Sequence, residues 1–182
     1  MQDLIRRTAA ALAAACMAAL LLGTPTGAEQ RTYQAGGEVV GYYAGWAAYQ
    51  GYTPDQLPAE HLTQINYAFA RIDPDTLTIA LENPAHDKKN LAALRKLRQQ
   101  NGHLKLLISV GGWSDSQHFS DAAATAARRE AFAASCVDFV VAQGLDGVDL
   151  DWEYPVSGGA PGTNHRPADK QNFTKLLQEL RT

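Results

Sequence analysis

The sequence predicts an α/β fold in which a parallel sheet is covered by helices. Three observations carry that prediction. Short runs rich in β-branched and aromatic residues alternate with longer runs of helical periodicity, giving four successive β-α units. Each helical run carries its apolar residues three and four apart, as a single core-facing stripe requires. The unusual polar residues gather at the carboxyl ends of the strands, where α/β folds of either kind build their sites. The pattern alone leaves a closed eight-stranded barrel and an open doubly wound sheet both standing.

The elements follow in order. Residues 39–44, Val-Val-Gly-Tyr-Tyr-Ala, read as the first strand. A loop punctuated by Gly51, Pro54 and Pro58 leads through a short helical turn at residues 59–61. The second strand is expected over residues 62–69, with a small excursion strand at 76–81. Residues 88–100 form a helix on the stripe Leu91, Leu94 and Leu97, closed by Asn101-Gly102 in the manner of a C-cap. The third strand covers 104–110. The helix over 126–143 turns Phe132, Cys136 or Val137, and Val140 inward and stops at Gly144. The fourth strand covers 146–151, and a last helix over 169–181 presents Phe173, Leu176, Leu177 and Leu180.

The amino terminus reads differently. Arg6 and Arg7 precede an apolar run from Thr8 to Leu22, and small residues surround Ala28. This is the pattern of a cleaved signal peptide over residues 1–28, followed by a polar leader over 29–37. The run is shorter than the roughly 18 apolar residues of a membrane span, so secretion is expected, with no membrane partner after cleavage. Cleavage would remove Cys16 and leave Cys136 as the one cysteine, with no internal disulfide open to it. Net charge is −3 with scattered basic residues, which gives no footprint for nucleic acid.

The most informative stretch is residues 145–155, Leu-Asp-Gly-Val-Asp-Leu-Asp-Trp-Glu-Tyr-Pro. Asp149, Asp151 and Glu153 are spaced by two, so an extended backbone aims them to one side. Val148, Leu150 and Trp152 point to the other, which makes Trp152 a core residue. Asp146 breaks the parity and is expected to support the start of the strand. Three neighbouring carboxyls repel one another when ionised, so at least one should keep its proton to unusually high pH. A carboxylic acid held protonated near neutrality is what a glycosidic leaving oxygen requires. A site for a hard cation such as magnesium or calcium is the competing reading of clustered oxygens. His118 and His165 lack paired ligand spacing, so neither supports a metal site, and no cofactor is expected.

The string Asp-Gly-Val-Asp-Leu-Asp-Trp-Glu-Tyr-Pro, residues 146–155, resembles the signature of family 18 glycoside hydrolases. Ser109-Val-Gly-Gly-Trp113 is similar to the second motif of that family, and the likeness extends over nearly all of residues 39–182. It implies a (β/α)8 TIM barrel with about the first four β-α units present, forming the amino-terminal half of a bacterial-type chitinase domain over residues 38–182. It further implies a retaining, substrate-assisted reaction on chitin or chitooligosaccharides, one of the exceptions to the two-carboxylate scheme. Glu153 would serve as general acid and base. Asp151 would orient the substrate acetamido group, and Asp149 would share a proton with Asp151. Tyr42 and Ser109 would hydrogen-bond the inner aspartates. Gly111 and Gly112 would allow close approach beneath the sugar. Trp46, Phe69, Trp113 and Tyr154 are the substrate-binding candidates; a core role for Phe69 or Trp113 stays open.

The later motifs of the resembled family, a Met-x-Tyr-Asp strand and a Trp at the floor of the central subsite, do not occur in these 182 residues. The chain is therefore expected to be inactive alone and to self-associate through exposed edges. A chitin-binding lectin is disfavoured by the presence of Glu153. An endo-β-N-acetylglucosaminidase acting on glycans shares the chemistry and remains the alternative.

Overall fold

A computed structural model describes residues 37–181. The expected signal segment 1–28 and leader residues 29–36 lie outside the described residues. Five strands form one sheet: β1 (Val40–Ala44), β2 (Gln64–Ile72), β3 (Ile79–Leu81), β4 (Lys105–Gly111) and β5 (Gly147–Asp151). The order is β1-β2-β4-β5, all parallel, with β3 antiparallel to β2. Each parallel strand lies beside the next one in the chain. A doubly wound sheet reverses its order at a switch point, and this path does not reverse.

The outer face of the sheet makes the core. Tyr43, Ile65, Tyr67, Leu106, Ile108 and Val110 are each at most 2% exposed. The covering helices are α1 (Pro84–Gln100), α2 (Phe119–Ala123), α3 (Ala126–Gln143) and α4 (Asp169–Glu179). They contribute Leu91 and Leu94, Phe119, Phe132 and Cys136, and Leu176. The opposite face carries Tyr42, which is 57% exposed, and the carboxylates.

The helix ends show where local chemistry modifies the expected bounds. α1 begins at Pro84, four residues before the expected start, because Asn83 accepts from the His86 N–H at 3.3 Å and proline fits the first helical position. Its end is not the left-handed glycine cap that Asn101-Gly102 predicts. Asn101 sits at φ −129° and closes the helix with its side chain, Nδ2 donating to the Leu97 carbonyl at 2.9 Å. α3 has the expected bounds, capped by Thr125 and ended by Gly144 at φ 60°.

Within α3 the inward choice falls on Cys136; Val137 is 56% exposed. Leu177 is 38% exposed, so the stripe of α4 runs through Phe173, Leu176 and Leu180 without it. The short helix α2 and the 3-10 turns Gly45–Gln50 and Pro54–Gln56 are not expected from periodicity, which needs longer runs. The turn at Ala59–His61 is as expected.

Candidate active site

β5 and the residues flanking it carry four acids, and the two ends treat them differently. Asp146, just before the strand, accepts from Arg98 Nη1 at 2.7 Å and from the Leu106 N–H at 2.9 Å. Lys105 Nζ stands 3.9 Å away. Burial alone would raise this carboxyl, but the Leu106 N–H, then Arg98 and Lys105, outweigh it and hold Asp146 below the usual range. This acid fastens the strand's start.

The parallel register sets Ser109 beside Asp149 and Gly111 beside Asp151. Asp149 Oδ2 accepts from Ser109 Oγ at 2.8 Å and from the Tyr42 hydroxyl at 2.8 Å. Tyr42 comes from β1, at the far side of the sheet path. Its phenol is raised by burial and then by the bond to Asp149, so it remains a donor at neutral pH. One carboxylate oxygen thus receives two hydroxyl protons, which fixes the orientation of the Asp149 side chain.

Asp151 follows on the same face. Burial, then Glu153, then Asp149 push its carboxyl above the ordinary value. Among the described residues no ion pair reaches it. The raised member of the series is thus the middle acid. The Tyr154 phenol is also raised, first by the charge of Glu153.

Two glycines bring β4 close beneath these acids. Gly111 has φ 104°, and a Cβ there would collide with the Asp151 carbonyl and stand 2.5 Å from the Phe119 ring. Gly112 has φ 80°, and a Cβ would meet the Phe69 ring at 2.9 Å. Phe69 in turn stacks on Trp46 with centroids 6.2 Å apart. Trp46, Trp113 and Tyr154 are 53%, 56% and 49% exposed. A groove of about 540 Å³ is lined by Trp46, Tyr49, Phe69, Ser114 and Asp115. Trp152 faces away, stacked on Phe119 at 5.4 Å and edge-on to Phe173.

The structure thus brings Tyr42, Ser109, Asp149, Asp151 and Glu153 together, with Gly111 and Gly112 beneath. Asp146 stands apart at the other end of the strand. No group of three or more His, Cys, Asp or Glu among the described residues is arranged to hold a metal ion. Sequence reasoning missed Ser116, fully buried, whose Oγ accepts from the Glu153 N–H at 2.8 Å. It also missed Asp169, fully buried at the start of α4, which accepts from Ser120 Oγ, Arg166 N and Val156 N and ties down the loop after Glu153. Neither lies in a periodic pattern, and only the fold brings them near.

Sequentially ordered parallel strands, with acids at their carboxyl ends, define a partial α/β barrel with a carboxylate site. A family model described as Glycosyl hydrolases family 18 matches residues 38–182. The chain belongs to that family. It is 43% identical over 188 aligned residues to Chitinase A1 of Niallia circulans, covering 79% of this chain and 27% of that protein. It is 35% identical to Chitotriosidase-1 of Mus musculus, over 79% of this chain and 30% of that one. Chitinase ChiA74 from Bacillus thuringiensis superposes with a TM-score of 0.76 at 35% identity, over 79% of this chain and 32% of that one. A mutant of the Ostrinia furnacalis Group II chitinase catalytic domain 2, solved in complex with penta-N-acetylchitooctaose, gives a TM-score of 0.72 at 36% identity, over 79% of this chain and 39% of that one. The chain spans 27% and 11% of the length of the two bacterial relatives Chitinase A1 and Chitinase ChiA of Flavobacterium johnsoniae.

Proposed function

We propose that this chain carries the acid/base half of a chitinase site, which hydrolyses β-1,4 linkages between N-acetylglucosamine units from within the polymer. The observation that carries the reading is the line Asp149, Asp151, Glu153 with two hydroxyls donating to its inner member. Those donors hold Asp149 in place at the inner end of the line. Asp151, raised by burial and by both neighbours, is the acid that holds a proton between them.

The chemistry follows from that order. Glu153 protonates the glycosidic oxygen as the bond to the anomeric carbon breaks. The carbonyl oxygen of the sugar's own acetamido group attacks that carbon and forms an oxazolinium ion. Asp151 leaves the shared proton with Asp149 as it turns, and as a carboxylate it accepts from the acetamido N–H and offsets the positive charge that develops there. Glu153, now ionised, takes a proton from water, and the water opens the ion with net retention. Tyr42 and Ser109 keep Asp149 in place, and Asp146 fastens the strand beneath. Trp46, Phe69, Trp113 and Tyr154 offer ring faces to pyranose units. Export through a cleaved amino-terminal segment would bring the protein to extracellular chitin. The exposed edges of β1 and β5, with Val137, Val141 and Leu177, would let the chain self-associate.

A graft tests the reading, with residues 38–182 replacing the matching part of Chitinase A1. Acetylated oligosaccharides should be cleaved and the fully deacetylated counterparts should not. Equal rates on the two, or a sugar ester trapped on Asp149 or Asp151, would exclude the substrate-assisted route. The ungrafted chain should show no turnover. Turnover by the chain alone, abolished by Glu153→Gln, would mean that the half-site suffices.

A further inference from the structure

The proposed reaction needs the Asp151 and Glu153 carboxyls at a fixed separation, yet the pairing of β5 with β4 ends at Asp151. Glu153 lies beyond the last rung of that ladder, so something other than the sheet must hold it. The loop after β4 supplies the group. Ser116 is fully buried, and its hydroxyl accepts from the Glu153 N–H at 2.8 Å. The same oxygen lies 2.9 Å from the Gly112 carbonyl, to which it donates, with the Asp151 carbonyl also in reach at 3.1 Å. Gly112 N–H donates back to the Asp151 carbonyl at 2.8 Å.

From the far side, Gly159 at φ 82° packs against the Glu153 carbonyl so closely that a Cβ would collide with it. The peptide units flanking Glu153 are therefore boxed between a hydroxyl and a glycine. Trp152, between the two acids, is fixed by its stack on Phe119. Rotation at the Glu153 backbone would have to break one of these contacts.

We infer that Ser116 is a positioning residue, whose hydroxyl ties the backbone of Glu153 to the end of β4 and thereby sets how close the Glu153 and Asp151 carboxyls stand. The inference rests on the proposed role of Glu153, but its test does not need turnover. The coupling between the two carboxyls is a direct readout of their separation, because the Glu153 charge is one cause of the raised Asp151 carboxyl.

The experiment is a carboxyl-carbon NMR titration of Asp151 and Glu153 in the full chain, with amide exchange at Glu153, in the natural protein and in Ser116→Ala. The Glu153 amide should exchange about tenfold faster in the variant, the equilibrium weight of one typical hydrogen bond. The Asp151 midpoint should move down towards the ordinary carboxylate value as Glu153 drifts away. Ser116→Cys keeps the side chain's shape with a weaker acceptor and should fall between the two. An Asp151 midpoint that is unchanged or higher in Ser116→Ala, with only the melting temperature lowered, would make Ser116 merely structural and overturn the proposal. If Ser116→Ala fails to fold, Ser116→Cys decides alone, and a natural titration in it overturns the proposal. Failure of the acetylated-substrate test would sink the chitinase reading and leave this result standing.

Discussion

The two ends of β5 hold the same side chain in opposite conditions. Asp146, at the start, has a guanidinium, a backbone N–H and an ammonium around it, and its carboxyl is held low. Asp151, at the end, faces two further acids and no ion-pair partner among the described residues, and its carboxyl is raised. One strand therefore separates an acid that stabilises the fold from an acid whose charge opposes it. A motif of four acids is thus two devices. The first member is a fastening, and the last three are a site that the rest of the fold must hold together against repulsion.

The comparison breaks most visibly in rate. Glu153→Gln in the grafted enzyme should lower turnover of acetylated oligosaccharides by about 10² to 10⁴, the usual weight of general acid catalysis. Sugar binding should be largely retained and the melting temperature should not fall. A parallel loss of stability would mean that Glu153 is a fastening too.

Asp146→Ala should do the reverse. It removes the acceptor for Arg98 and for the Leu106 N–H, worth about 2 kcal/mol at neutral pH for hydrogen bonds to a charged group. Because the folded carboxyl is held low, its stabilisation is present above the unfolded carboxylate value and is lost as pH falls through the folded one. Denaturant melts of the two chains should therefore converge in acid. An Asp146→Ala chain as stable as the natural one at pH 7 would remove the contrast.

Asp151→Asn gives the smallest effect and the opposite sign. The folded chain keeps this proton to higher pH than the unfolded chain does, so ionised Asp151 costs stability above its raised value. The substitution should raise the melting temperature at pH 7. The gain should shrink as pH falls towards the ordinary carboxylate range. A gain that persists in acid would have a cause other than charge.

Much of the fold and of the acid line is legible in the amino-acid sequence, for reasons that particular residues make clear. The alternation from Val148 to Glu153 sorts acids from core residues by pleat alone, and Trp152 at 5% exposure lies where that parity directs it. The α3 bounds follow from Thr125 and Gly144, a polar start and a left-handed stop. Asn101 is a harder case, because asparagine can close a helix by its backbone or by its side chain, and composition does not distinguish the two. Cys136 and Val137 are adjacent on a helix, and only packing chooses between them. Ser116 stays hidden for a deeper reason. It is 37 residues from the amide it receives, and that contact exists only because β4 and β5 pair in parallel.

The buried thiol of α3 has a use of its own. Cys136 is wholly inaccessible, and burial pushes its thiol up to about 12. Thiols react as thiolates, so at mildly alkaline pH an aromatic disulfide reagent should find almost nothing to attack while the helix stays packed on the sheet. The sequence holds one other cysteine, Cys16. In a Cys16→Ser chain, the release of coloured thiol would keep time with the opening of α3 alone, making the molecule its own stopwatch for unfolding.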